Sequence, residues 1–181
     1  MIICAGNNET FDFATPTGVG MVETAMNLTR LCLLDRPEYL LFVGTAGSYG
    51  TYPILEVVTS KTAANIELSF LEKKSYTPLD NVISTQTEEK QDVIVNSSNY
   101  ISTDAGLCRR FPALGIGLEN MEFFAVLQVA REFGIPAGGV FCITNYCDEN
   151  AHADFVRNHD AAKAKLAEYI LRYFKNEMHR A

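Results

Sequence analysis

Two carboxylates three residues apart, with an amide and a thioether between them, form the most chemically loaded stretch of the chain: Glu119-Asn120-Met121-Glu122. They fall where a short strand gives way to a helix. Helix starts expose N–H groups and collect anions, and an ionised carboxylate accepts hydrogen bonds at both oxygens. The same residues would also suit the first turn of any helix, with Met121 as core. A second polar cluster, Thr144-Asn145-Tyr146, ends the uncharged run Ala137–Ile143. In open α/β sheets, ligands bind outside the carboxyl ends of the strands, where both clusters stand. A third candidate is Gly44-Thr45-Ala46-Gly47-Ser48-Tyr49-Gly50, whose three glycines allow a tight turn or a close backbone approach to a ligand. It is not a phosphate loop, for no Gly-Lys-Ser/Thr follows, and not a dinucleotide fingerprint, for no helix clearly follows.

The elements that must position these residues read as an alternation of strands and helices. Ile2–Ala5 is a short apolar strand closed by turn residues Gly6-Asn7-Asn8-Glu9, with an extended connector over Phe11–Pro16. Thr17-Gly18-Val19-Gly20 opens a helix from Met21 to Leu34, with Met21, Ala25, Leu28, Leu31 and Cys32 on its apolar face and Pro37 past its end. Strands are predicted over Tyr39–Val43, Ile54–Thr59, Asn65–Phe70 and Asp92–Val95, with a polar surface excursion over Leu71–Lys90 and a polar exit over Asn96–Ile101. Asp104–Phe111 reads as a short helix stopped before Pro112. Gly134-Ile135-Pro136 stops the helix after Glu122, and Ala153–Lys175 is a long amphipathic helix with Phe155, Ala162, Leu166, Tyr169, Ile170 and Phe174 inward. The pattern predicts one domain over residues 1–181: a three-layer α/β fold with a mixed, largely parallel central sheet flanked by helices.

Composition narrows the function classes. At 181 residues and 48% hydrophobic, the chain can bury a sizeable core. A net charge of −7 without a basic stripe argues against nucleic acid, and no apolar run is long enough to span a bilayer. The start lacks the basic and apolar regions of a signal peptide. Five scattered cysteines, without zinc-site spacing, fit a reducing cytoplasm and no metal. Cys142 and Cys147 bracket Asn145 with no base nearby in sequence, which argues against a catalytic thiol; His152 and His159 read as capping or surface groups, and His179 as tail.

In their order and spacing, five blocks resemble the nucleoside phosphorylase and nucleosidase superfamily, specifically bacterial purine nucleoside phosphorylases and methylthioadenosine/S-adenosylhomocysteine nucleosidases. They are Ile2–Glu9, Thr17–Gly20, Val43–Gly47, Glu119–Ala125 with Phe133–Pro136, and Ile143–Asp148 with Ala151–Phe155. The resemblance implies an enzyme that cleaves the N-glycosidic bond of a purine nucleoside through an oxocarbenium-like sugar. It needs no cofactor, takes phosphate as a possible co-substrate, and acts as a cytoplasmic homo-oligomer. It also implies roles. Glu122 accepts the ribose hydroxyls, with Met121 and Thr45 beside the sugar. Tyr100 and Ile101 cover the base, with Ala46, Gly47 and Asn145 around it. Glu9 activates the attacking water.

The departures from the family pattern carry information too. The general-acid aspartate aligns with Asn145, whose amide can hydrogen-bond to the purine N7 but cannot give up a proton. Arginines align with Phe42 and Phe141, which favours water over phosphate as nucleophile. The first glutamate of the family's Glu-Met-Glu aligns with Asn120, so Glu119 is expected to point elsewhere on the helix. The segment from Glu9 to Thr17 is too short for the family's early strands, so part of the sheet and of any phosphate site is expected to be missing. The expected activity is nucleosidase or phosphorylase. The alternative is a nucleoside- or nucleobase-binding protein that kept the fold with weakened turnover, and Asn145 could also mark a 6-oxopurine base.

Overall fold

Side-chain alternation along two central strands sorts the core into two layers. The structure, a computed structural model, describes residues 1–85 and 92–178, with side chains in the last helix as far as residue 173. His179, Lys90 and the Phe174 side chain lie outside the described residues. Strands β3 (Leu40–Ser48) and β9 (Ala137–Tyr146) run parallel, in register from Leu40↔Ala137 to Ser48↔Tyr146, with a bulge between Ala46 and Gly47. Successive side chains on a strand point to opposite faces. Leu40, Phe42, Ala46, Phe141 and Ile143 therefore enter one core, and Val43, Val140 and Cys142 the other. The first core is covered by α1 (Met21–Asp35) through Leu28 and Cys32, and by α4 (Phe123–Phe133) through Phe123, Val126 and Leu127. The second is covered by α5 (Ala151–Met178) through Ala162, Leu166 and Ile170. This is the expected sheet between two helical layers.

The remaining strands extend that pair. β1 (Ile2–Cys4) lies parallel to β3, and β2 (Thr15–Pro16) parallel to β1. β4 (Val57–Ser60) is antiparallel to β9. At its far end β3 meets β8 (Ile116–Asn120), antiparallel, through Gly47↔Glu119 and Ser48↔Leu118. Beyond β8 come β7 (Ile94–Ser97) and β5 (Thr62–Ala64), both parallel, and β6 (Val82–Ser84), antiparallel. Among the described residues, five of the eight pairings are parallel, so the sheet is mixed and largely parallel. No helix among them is long and apolar enough to cross a membrane.

Several local expectations are corrected. The stretch after Val43 is not a loop: Gly44–Ser48 continues β3, and of its three glycines only Gly50 takes a positive φ, 105°. Likewise β9 runs on through Thr144-Asn145-Tyr146. The predicted strand Asn65–Phe70 is absent. The Asn96 side chain takes the place of a partner strand there, accepting from Ile66 N at 2.8 Å and donating to Ile66 O at 2.9 Å. The chain then turns into a short helix, α2 (Leu68–Leu71), which packs Leu68 and Leu71 against a cluster containing Tyr49 and Phe111. The strands predicted over Ile54–Thr59 and Asp92–Val95 start later, at Val57 and Ile94, and the polar excursion contains β6. The helix α3 (Ala105–Cys108) is capped by Asp104, which accepts from Leu107 N at 3.0 Å. Pro112 does not end it but sits in the first turn of a separate 3₁₀ segment, Phe111–Leu114, where a missing N–H costs nothing. The segment after Glu9, short as it is, supplies β2. Tyr169, expected inward on α5, is 36% exposed.

Candidate functional site

A cavity of about 340 Å³ opens at the carboxyl ends of β1, β3 and β9. Glu9 enters from the exit of β1, Thr45, Ala46 and Gly47 from β3, Asn145 from β9, and Met121 and Glu122 from the turn between β8 and α4. Ile101 and, from α5, His152 and Phe155 complete the wall. Of the residues to which the resemblance gives a role in binding or catalysis, Tyr100 alone is absent. It is 83% exposed and lines a second cavity of about 230 Å³ with Ile66 and Phe111, sharing only Ile101 with the first.

At one end stands Glu122, 4% exposed. Its Oε1 accepts from Gly20 N at 2.9 Å and its Oε2 from Asn120 Nδ2 at 2.8 Å. Gly20 reaches it with φ 82°, a backbone conformation that glycine adopts without strain. Asn120 also caps the helix: its Oδ1 accepts from Glu122 N and Phe123 N, both at 2.7 Å, satisfying the otherwise orphaned first N–H groups of α4. A carboxylate offers about four acceptor positions. Two are used here and two remain for a ligand. Burial pushes the Glu122 pKa up to about 7, against the pull of the Gly20 and Asn120 donors and with a contribution from the nearby Glu9 charge.

Glu9 is held by one residue. Both its oxygens accept from Thr45 N, at 3.2 and 3.1 Å, and Oε1 accepts from the Thr45 hydroxyl. Thr45, expected beside the sugar, commits its donors to Glu9. Burial raises the pKa of Glu9, while Thr45, His159 and Lys163 oppose the rise. Gly44 makes this approach possible: a Cβ there would lie 2.7 Å from Phe42 Cε1 and 3.0 Å from Glu9 Oε2.

The other end of the cavity is built on one row of the sheet. Gly47 pairs with Asn145 on one side and Glu119 on the other. Residues in register project to the same face, so an amide and a carboxylate flank a position without a side chain. Asn145 Oδ1 accepts from Thr144 Oγ1 at 2.8 Å and its Nδ2 donates to Tyr146 O at 3.0 Å, leaving one N–H. Glu119, expected on a helix and pointing away, is on β8 and lines the cavity. Its carboxylate accepts from Ser102 N at 2.8 Å, Ser102 Oγ and Tyr49 OH at 2.7 Å. Burial, then the Glu119 charge, pushes the Tyr49 phenol up, so it stays a donor.

Three features escaped the sequence reading. Glu119 was hidden because strand register cannot be read locally. Cys147 and Cys108 are neighbours although they lie 39 positions apart in the chain. His159, read as surface, has a side chain only 11% exposed, one turn beyond Phe155 on the inner side of α5. The four-residue steps Phe155, His159, Lys163 were the available signal.

The family model of the phosphorylase superfamily matches residues 12–175. No curated protein sequence matches the chain. Among solved structures, the fold is similar to Helicobacter pylori MTAN, a mutant with 5′-methylthioadenosine in its active site, at TM-score 0.80 and 15% identity, covering 97% of each chain. It is also similar to native futalosine hydrolase of Helicobacter pylori, at TM-score 0.80 and 16% identity over 97% of this chain and 96% of that one. A third likeness is the MTA/SAH nucleosidase of Streptococcus pneumoniae in complex with 8-aminoadenine, at TM-score 0.75 and 14% identity over 96% and 97%.

Proposed function

The chain belongs to the phosphorylase superfamily, and from that membership and the layout of its cavity we propose that it hydrolyses the N-glycosidic bond of a purine nucleoside. The observation that carries this reading is the pair of carboxylates, Glu9 and Glu122, at one end of a single cavity, each held by donors that leave acceptor positions open. Glu122 grips the ribose hydroxyls, with Met121 against the sugar. Glu9 takes a proton from water as the water oxygen bonds to C1′ and the C1′–N bond to the base breaks. The base leaves with negative charge on its imidazole ring. Asn145 stabilises that charge by donating to N7, and solvent supplies the proton. Water is favoured over phosphate because Phe42 and Phe141 are fully buried side by side, ring centroids 5.8 Å apart, where the resemblance expects guanidinium groups.

The base end favours a 6-oxopurine. Such a base offers acceptors at O6 and N7 and a donor at N1, complementary to the amide of Asn145 and the carboxylate of Glu119 on either side of Gly47. The related Helicobacter pylori and Streptococcus pneumoniae structures hold adenine-type ligands, so the base is where this chain is expected to differ. A second reading, a nucleoside-binding protein without turnover, is favoured by Asn145, which cannot serve as a general acid.

One experiment tests all of this. The protein is incubated with inosine, guanosine, adenosine and methylthioadenosine, with and without phosphate, and free base and sugar are measured. Base release from inosine that does not depend on phosphate is the expected result. Sugar 1-phosphate as product would make the protein a phosphorylase. Calorimetric binding without any release would make it a binding protein.

A further inference from the structure

The surroundings of Glu9 leave an electrostatic demand that the cavity wall does not meet. Its bonded donors are the neutral N–H and hydroxyl of Thr45 on β3. Glu122 faces it from the start of α4 with a like charge, and the Cys4 thiol faces it from β1. Phe42 fills the space beside it on β3. A general base must be ionised to work, and burial alone opposes that.

Two basic side chains reach toward it from α5. The His159 ring packs against Phe155, a cavity-lining residue, with centroids 4.9 Å apart. Its Nε2 is buried and has no hydrogen-bond partner among the described residues, while its Nδ1 lies 3.8 Å from the exposed Asp160 carboxylate. Buried nitrogens without partners are rare and costly, and each calls for a reason. One turn on, Lys163 Nζ donates at 2.8 Å to the carbonyl of Asn8, the residue before Glu9, and stands 5.8 Å from the centroid of the Phe11 ring. Both side chains favour the ionised form of Glu9.

We propose that His159 and Lys163 are positioning residues for Glu9: two basic side chains, one helical turn apart, that favour the charged form of the water-activating carboxylate from the α5 side. The proposal rests on the hydrolytic reading for its purpose, and its physical content stands without it. Lys163 supplies a positive charge that Phe141 and Phe42 cannot. The pair acts through Glu9 and does not touch the substrate.

The test reads Glu9 directly. The Glu9 carboxyl carbon is followed by NMR from pH 4 to 9 in full-length protein carrying ¹³C-labelled glutamate, with Glu9→Gln to assign it. In both His159→Gln and Lys163→Met its midpoint is expected to rise by about one unit, with a larger rise in the double variant. His159→Lys should bring it back toward the parent. Arg157→Gln, exposed on the same helix, should move nothing. On whichever nucleoside is turned over, the acid limb of kcat/KM should move up in pH with the same variants, with KM within about twofold, because the effect lies on the base and not on binding. Should His159→Gln fold poorly, Lys163→Met, half-exposed at the helix surface, decides alone. A Glu9 midpoint unchanged in folded variants overturns the proposal. A shifted midpoint in a protein that releases no base keeps the role of the two α5 side chains and overturns only the hydrolytic reading.

Discussion

Glu119 and Glu122 are three residues apart, comparably buried, and line the same cavity, yet they are built for opposite purposes. Glu119 accepts three hydrogen bonds, from Ser102 twice and from Tyr49, and becomes part of a fixed wall beside Gly47. Glu122 accepts two, and its pKa is pushed up to about 7. Burial is common to both. The difference lies in how many donors the scaffold aims at each carboxylate, and in the negative neighbour, Glu9, that Glu122 has. A buried carboxylate left partly unsatisfied is costly to the fold and useful to a ligand carrying hydroxyl groups. The Glu122 end therefore keeps acceptor positions open, whereas the Glu119 end is already bonded.

That contrast can be broken at either end, and the largest effect is expected at the open end. Glu9→Gln removes the base and should lower the rate of base release by about 10²–10⁴-fold, with KM within a few-fold. Steady-state kinetics on the best nucleoside decide it. An equal loss in binding would mean that Glu9 grips the substrate instead.

Glu122→Gln comes next. Hydrogen bonds to a charged group are worth about 1.5–3 kcal/mol each, so nucleoside affinity should fall by about 10–100-fold while free-base affinity is unchanged. The pH dependence carries a sign. Glu122 is the double acceptor only when ionised, and its folded pKa is raised to about 7. Nucleoside binding should therefore tighten from pH 6 to pH 8 and lose up to about tenfold per unit below the midpoint, a slope absent from the Gln variant. Calorimetry at three pH values settles this, and a parent with a flat profile would remove Glu122 from the sugar site.

Asn145→Asp tests the base end. A group able to share a proton with N7 should raise base release from adenosine and methylthioadenosine by about 10-fold or more. Initial rates between pH 5 and 8 measure it. A parent already faster than this variant on every nucleoside would show that the amide is no handicap.

The smallest effect is expected where the bonds are already made. Glu119→Gln loses one of the hydrogen bonds from Ser102 or Tyr49, about 1.5–3 kcal/mol, which for a domain of this size lowers Tm by about 3–12 °C. The preference for inosine over adenosine should fall several-fold. An unchanged preference would leave Glu119 a purely structural wall and dissolve the contrast with Glu122.

What was legible in the sequence was local. The alternation of Val43 and Phe42, or of Val140 and Phe141, is a two-residue period that needs no knowledge of neighbours. Gly134 ends α4 because its φ of 64° suits glycine, with Ile135 N closing the turn on Ala130 O at 2.8 Å. Glu122 and Met121 could be placed because a strand end and a helix start coincide there. The glycines of 44–48 misled for a physical reason: glycine marks a turn and also marks a place where another side chain must come close. Here a Cβ on Gly47 would lie 2.9 Å from Cys147 Sγ and 3.0 Å from Asn145 Nδ2.

The sequence by itself determined which segments become strands and helices through most of the chain, which faces they bury, and the residue types available at the strand ends. Period, capping and composition act within a few residues, so they can be read from a few residues. Only the tertiary structure decided that Gly20 closes on Glu122 across 102 positions, that Asn145 and Glu119 flank Gly47, and that Lys163 of α5 reaches the carbonyl of Asn8, the residue before Glu9. Those meetings are set by strand order and register and by the seating of α5 on the sheet. They arise from the packing of the whole chain at once, so no single stretch of sequence carries them.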